Sequence, residues 1–161
     1  MSHLVIALLS ILTVWHGPKP VLIRHVRDHG GEPYLASVAS FAEHAAGKHG
    51  LDPYLLIALA FSESSINPDA VGPAGEIGLM QLHPQSKWGR LAANDCQHAP
   101  GFCRTWVSMW WGAAALQHGL ELCGTEAAAV SWFKSGRCLD GPKGRAVVAL
   151  RDRLRDAGGG A

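Results

Sequence analysis

The sequence predicts an all-α domain of about seven helices arranged around one buried central helix. Three observations carry that expectation. Apolar residues recur at three- and four-residue spacing through most of the chain, as an amphipathic helix requires. The run Leu55-Leu56-Ile57-Ala58-Leu59-Ala60-Phe61 has no polar face, so its helix belongs inside the domain. No alternating strand pattern and no internal repeat is present. At 161 residues with 48% hydrophobic and 17% charged side chains, the chain can bury one sizeable core and is not expected to be disordered. A formal charge of +1 without a long basic run argues against a nucleic-acid partner.

Leu4 to Val14 is an apolar run, too short to span a bilayer comfortably, since about 20 residues are usual. No Lys or Arg precedes it, and no small-residue cleavage site follows within reach. Residues 1–17 are therefore read as an uncleaved export signal or membrane anchor, with residues 4–15 the candidate membrane contact. An atypical cleaved signal and an amphipathic helix packed on its own domain or on a partner stay open. Residues 18–33, punctuated by Pro18, Pro20, Gly30, Gly31 and Pro33, read as a linker. His25 and His29 share the i, i+4 spacing of a two-His metal site, but no third ligand is evident and no metal is expected.

The domain is expected over residues 34–157. Tyr34, Leu35, Val38, Phe41, Ala42 and Ala45 make an amphipathic helix from Tyr34 to His49, stopped by Gly50. Asp52-Pro53 supplies an N-cap and a first-turn proline for the central helix, spanning Leu51 to Ser65. Pro84 to Asn94 reads as a short helix and Asp95 to Gly101 as a loop. Thr105 to Leu122 is a long helix carrying Trp106, Trp110 and Trp111, which either pack in the core or form a sugar-stacking wall. Thr125 caps a helix to Ser135 with Gly136 as its stop. Pro142 to Asp156 closes the domain, and residues 158–161 are a tail. The four cysteines favour two short loops, Cys96–Cys103 and Cys123–Cys138, and with them an oxidising compartment. Reduced core cysteines are the alternative.

Glu63 lies four residues after Leu59 and seven after Leu56, on the same face of the central helix. Burial and the negative end of a helix dipole both favour the neutral form of a carboxyl. An acid that holds its proton can protonate a leaving-group oxygen. Downstream, Gly72, Pro73, Gly75 and Gly78 let backbone pack closely beneath a ligand.

Glu63-Ser64, Asn67-Pro68, Ala70-Val71-x-Pro73-x-Gly75 and Gly78-Leu79-Met80-Gln81-Leu82-x-Pro84 together resemble the signature of the soluble lytic transglycosylase family. The resemblance implies a lysozyme-like fold and cleavage of the β-1,4 bond between N-acetylmuramic acid and N-acetylglucosamine in peptidoglycan glycan strands, with no cofactor. It assigns Glu63 as acid and then base toward a 1,6-anhydro product. It assigns Ser64, Gly78, Met80, Gln81, His83 and Phe133 to the substrate site. The N-terminal apolar run and the paired cysteines point to an extracytoplasmic location, in the periplasm, cell envelope or a phage particle, and the small size fits service to a secretion, conjugation or phage-entry machine.

This chain departs from the pattern in three places. Glu76 replaces an expected Ala and could act as a second acid that positions water, as in goose-type lysozymes, or simply face solvent. His83 stands where Met is common. The later Tyr-Asn-x-Gly element falls on Phe133-Lys134-Ser135-Gly136, so a Tyr hydroxyl is lost and Lys134 either points into the cleft or lies on the surface. A wall-binding protein with a weakened site therefore stands beside the two enzyme readings.

Overall fold

The computed structural model describes residues 3–10 and 26–158. Its elements are α1 (His3–Leu9), α2 (Glu32–His49), α3 (Pro53–Ser64), α4 (Lys87–His98), a 3-10 turn (Pro100–Phe102), a π-helical turn (Cys103–Val107), α5 (Ser108–Cys123), α6 (Glu126–Ser135) and α7 (Pro142–Gly158). Among the described residues there is no strand; Val71, Ile77 and Leu82 make only isolated bridges that knit the loop between α3 and α4. The fold is all-α and lysozyme-like.

Helix α3 is the hub. Asp52 caps it, its side chain accepting from the Tyr54 N–H at 2.9 Å, and Pro53 occupies the first turn. Leu55 to Phe61 are each at most 1% exposed because α2, α5 and α7 pack around them. An all-apolar helix can only be satisfied this way, since any face left to water would forfeit its transfer free energy. The helix stops at Ser65 in the left-handed conformation, whose N–H donates to the Phe61 carbonyl.

Several boundaries differ from the sequence expectation: α2 begins at Glu32 and not Tyr34, α4 begins at Lys87 and not Pro84, and α7 runs to Gly158. Helix α4 starts after its Ser86 cap and runs to His98, past the expected end, with Cys96 of its last turn bonded to Cys103. The chain before α5 widens into a π-turn, and only from Ser108 does it become α-helical. Helix α6 runs from the Thr125 cap to Gly136 as the cap and stop residues predict.

Helix α1 packs against α2 and α7, with Leu4, Val5, Ala7 and Leu8 buried. Within residues 3–10, then, the domain itself covers Leu4, Val5, Ala7 and Leu8, while Ile6 and Leu9 are exposed. Among the described residues no helix is long and apolar enough to cross a membrane. His25 and residues 18–25 of the expected linker lie outside the described residues; of its remainder, residues 32–33 already belong to α2. His29 hydrogen-bonds Asp69 at 2.9 Å, and no metal-binding cluster occurs among the described residues.

Cys96 is bonded to Cys103 and Cys123 to Cys138. Arg151 reaches Asp52 at 3.3 Å and Glu126 at 2.8 Å, and Arg155 also contacts Asp52. One charged cluster thus ties the start of α3 and the start of α6 to α7.

Candidate active site

The last turn of α3 and the last turn of α6 converge, and Glu63 meets Lys134 there in a direct ion pair. The two side chains are only 15% and 20% exposed. The pair stands between two hollows of about 590 and 800 Å³. The smaller is walled by Gly72, Pro73, Glu76, Gln81, His83, Trp88, Trp132 and Phe133. The larger, more apolar one is walled by Leu139, Pro142, Lys143, Ala146, Val147 and Leu150. The smaller hollow sets aromatic rings beside charged, amide and hydroxyl groups, a lining that suits an extended polar ligand with flat apolar faces.

The backbone around this acid is strained in a way that few side chains tolerate. Among the described residues, the non-glycine positions with positive φ are Ser65 (53°), Ile66 (58°) and Gln81 (46°), and all three flank the site. Ile66 is fully buried, and its carbonyl accepts from the Tyr34 hydroxyl at 2.7 Å. Burial pushes the Tyr34 hydroxyl above its ordinary range, so it remains a donor. Asn67 Oδ1 accepts from the Asp69 N–H at 2.9 Å, turning the chain away from the acid. Asp69 is held below the usual carboxylate range by hydrogen bonds from His29 and Arg104.

Gln81 uses its left-handed backbone to aim its amide inward, where Nε2 donates to the carbonyls of Ala70 and Gly78, each at 2.9 Å. Glu76 also turns into the groove wall, its Oε2 accepting from the Ala74 N–H at 2.9 Å. Both groups lie over Gly72: a Cβ there would sit 2.4 Å from Glu76 Oε2 and 2.9 Å from Gln81 Oε1. With glycine at position 72 the carboxylate and the amide both approach the backbone there; a side chain would make these two flexible groups move aside.

Of the residues expected from the sequence, the structure gathers Glu63, Glu76, Gln81, His83 and Phe133 around one hollow. Three others lie behind it. Ser64 is 8% exposed and hydrogen-bonds the Ala60 and Leu79 carbonyls, pinning the loop to the helix. Gly78 packs on the backbone of Arg104. Met80 is fully buried against Gly112, so it supports the floor from inside and is not a cleft wall.

Trp106 and Trp110 cluster with Phe41, His44 and His49 beside α2, and Trp111 donates its indole N–H to Asp95 at 2.8 Å. None of the three lines either hollow. The groove's indoles are Trp88 and Trp132, with His118 between them at ring distances of 5.8 and 5.3 Å. Their sequence signal is faint: Trp88 opens a polar helix, and Trp132 stands immediately before the Phe133-Lys134-Ser135-Gly136 element.

An all-α scaffold that ends its buried central helix in one carboxyl, within an aromatic-walled groove, belongs to the lysozyme-like class. The family model for the Transglycosylase SLT domain matches residues 40–132, more than half of the chain, and the chain belongs to that family. No curated protein and no solved structure matches it.

Proposed function

We propose that this protein is a peptidoglycan lytic transglycosylase that cleaves the β-1,4 bond between N-acetylmuramic acid and N-acetylglucosamine. The observation that carries the reading is the position of Glu63, mostly buried at the end of α3 and open to both hollows of the groove. In this scheme a glycan strand lies along the groove with its scissile oxygen at Glu63. The carboxyl protonates that oxygen, the bond to the muramoyl C1 breaks, and the developing cation faces the carboxylate left behind. The carboxylate then takes the proton of the muramoyl 6-hydroxyl as O6 closes on C1, giving the 1,6-anhydro sugar. Gln81, His83 and Phe133 line the strand's path with Trp88 and Trp132, whose faces suit pyranose rings.

The two disulfides fit an oxidising compartment, so we place the activity outside the cytoplasm, at the cell wall. A hydrolytic second reading rests on Glu76, which lines the same hollow as Glu63 and could direct a water to C1.

Digestion of purified sacculi with the wild type and Glu63→Gln, followed by mass analysis of the muropeptides, tests both. Anhydro products, lighter by one water than reducing ends, support the transglycosylase, whereas reducing ends identify a hydrolase. Glu63→Gln is expected to lose about 100-fold or more in rate. Intact sacculi that still bind the wild type would leave a wall-binding protein.

A further inference from the structure

The ion pair at the acid is the feature of this groove that the proposed reaction leaves unused. Among the described residues, Lys134 is the one side chain paired with Glu63, and Glu63 is the one carboxylate paired with Lys134. Neither of the chain's two tyrosines supports the acid: Tyr34 is committed to the Ile66 carbonyl, and Tyr54 lies in the first turn of α3 beside Gly158. The lysine comes from a different helix, in the last turn of α6, and reaches across the groove to the carboxyl. An acid that must deliver a proton thus rests against an ammonium that carries one.

Resting on the assignment of Glu63 above, we propose that Lys134 is the proton reservoir of this site, a positioning residue that acts through Glu63. At rest the pair holds one transferable proton as carboxylate and ammonium. A glycan filling the groove removes water from both groups, which penalises two charges more than two neutral groups. The proton then passes from Nζ to the carboxylate, leaving carboxylic acid and free amine. Glu63 gives that proton to the glycosidic oxygen, the C1–O bond breaks with its electron pair on oxygen, and the leaving sugar departs with a hydroxyl. Carboxylate, neutral amine and muramoyl cation remain. The neutral amine matters here, because an ammonium beside the cation would repel it. When O6 attacks C1, its proton returns through Glu63 to Nζ, and the pair is restored with nothing consumed.

A lysine suits this role because its ammonium can release a proton when desolvated, whereas an arginine guanidinium keeps its own. Lys134→Arg therefore preserves charge and pairing but removes the reservoir. Turnover of soluble uncrosslinked glycan strands is measured for wild type, Lys134→Arg, Lys134→Ala and Glu63→Gln, with thermal melting to confirm folding. Lys134→Arg is expected to lose about 100-fold or more in kcat with KM changed less than about threefold. Lys134→Ala is expected to be similarly slow and to recover with added methylamine but not with guanidinium.

Wild-type kcat in Lys134→Arg overturns the proposal, as does rescue of Lys134→Ala by guanidinium as effective as that by methylamine. If Lys134→Ala does not fold, Lys134→Arg decides alone. Loss of activity in Glu63→Gln with Lys134→Arg unaffected removes the reservoir and leaves the acid in place. Full activity in Glu63→Gln removes the acid, and with it the reservoir.

Discussion

Gly78 has φ 82°, and a Cβ there would sit 2.6 Å from the Arg104 carbonyl oxygen. Two separate penalties follow for any larger residue, one from the left-handed backbone and one from contact with a carbonyl that cannot swing aside. Gly78→Ala is expected to lose about 1–3 kcal/mol from the backbone alone, with the clash adding to it. Urea denaturation measures the loss, and a variant as stable as wild type would show that the π-turn yields. The loop behind the acid depends on this position, because the Leu79 N–H donates to Arg104 O at 3.0 Å and the Met80 N–H to Ser108 Oγ at 3.0 Å. Much of the site is legible at this scale. Spacing puts Glu63 on the buried face of the central helix, and the family resemblance points to Gln81 and Phe133. The burial of Met80 and the inward commitment of Ser64 are not, because each depends on which side of a strained loop faces α5.

At the scale of elements, α1 is the piece whose role was least determined by its own sequence. A short apolar run serves equally well as an export signal, an anchor or a packed helix, and only a neighbouring apolar face decides among them. In the fold, Leu8 is fully buried where α1 meets α2 and α7, and a Cβ on Gly158 of α7 would sit 2.7 Å from the His3 carbonyl oxygen. Leu8→Ala is therefore expected to destabilise the full chain by about 2–5 kcal/mol, the usual range for emptying a buried leucine site. Chemical denaturation reads this directly, and a change below about 0.5 kcal/mol, the level of an ordinary surface substitution, would mean that α1 does not share the core in solution. The other helices follow their local signals more closely. Asp52-Pro53, Ser86, Thr125, Gly50 and Gly136 each mark a boundary that the backbone adopts. Helix α4 outran its expected end, with Cys96 of its last turn bonded to Cys103.

For the whole molecule, the two disulfides brace different parts of the fold. Cys96–Cys103 closes a separation of 7 residues and ties α4 to the π-turn, and Cys123–Cys138 closes 15 residues around α6, which carries Lys134. By loop-closure entropy, removing the longer bridge should cost about 3 kcal/mol and the shorter about 2.4 kcal/mol. Paired Cys→Ser variants compared by thermal unfolding test the order, and a larger loss at the shorter bridge would contradict it. The sequence by itself determined the helical class, the central apolar helix and its terminal acid, because periodicity and caps are local properties of the chain. Tertiary structure alone decided which side chains meet that acid. Lys134, Trp88 and Trp132 are far from Glu63 along the chain and enter the groove only because α6 packs on α5 and α7 and α4 packs on α5. Spacing can place a carboxyl on a buried face, but the charge set against it depends on where the packing of α6 on α5 and α7 brings the last turn of α6.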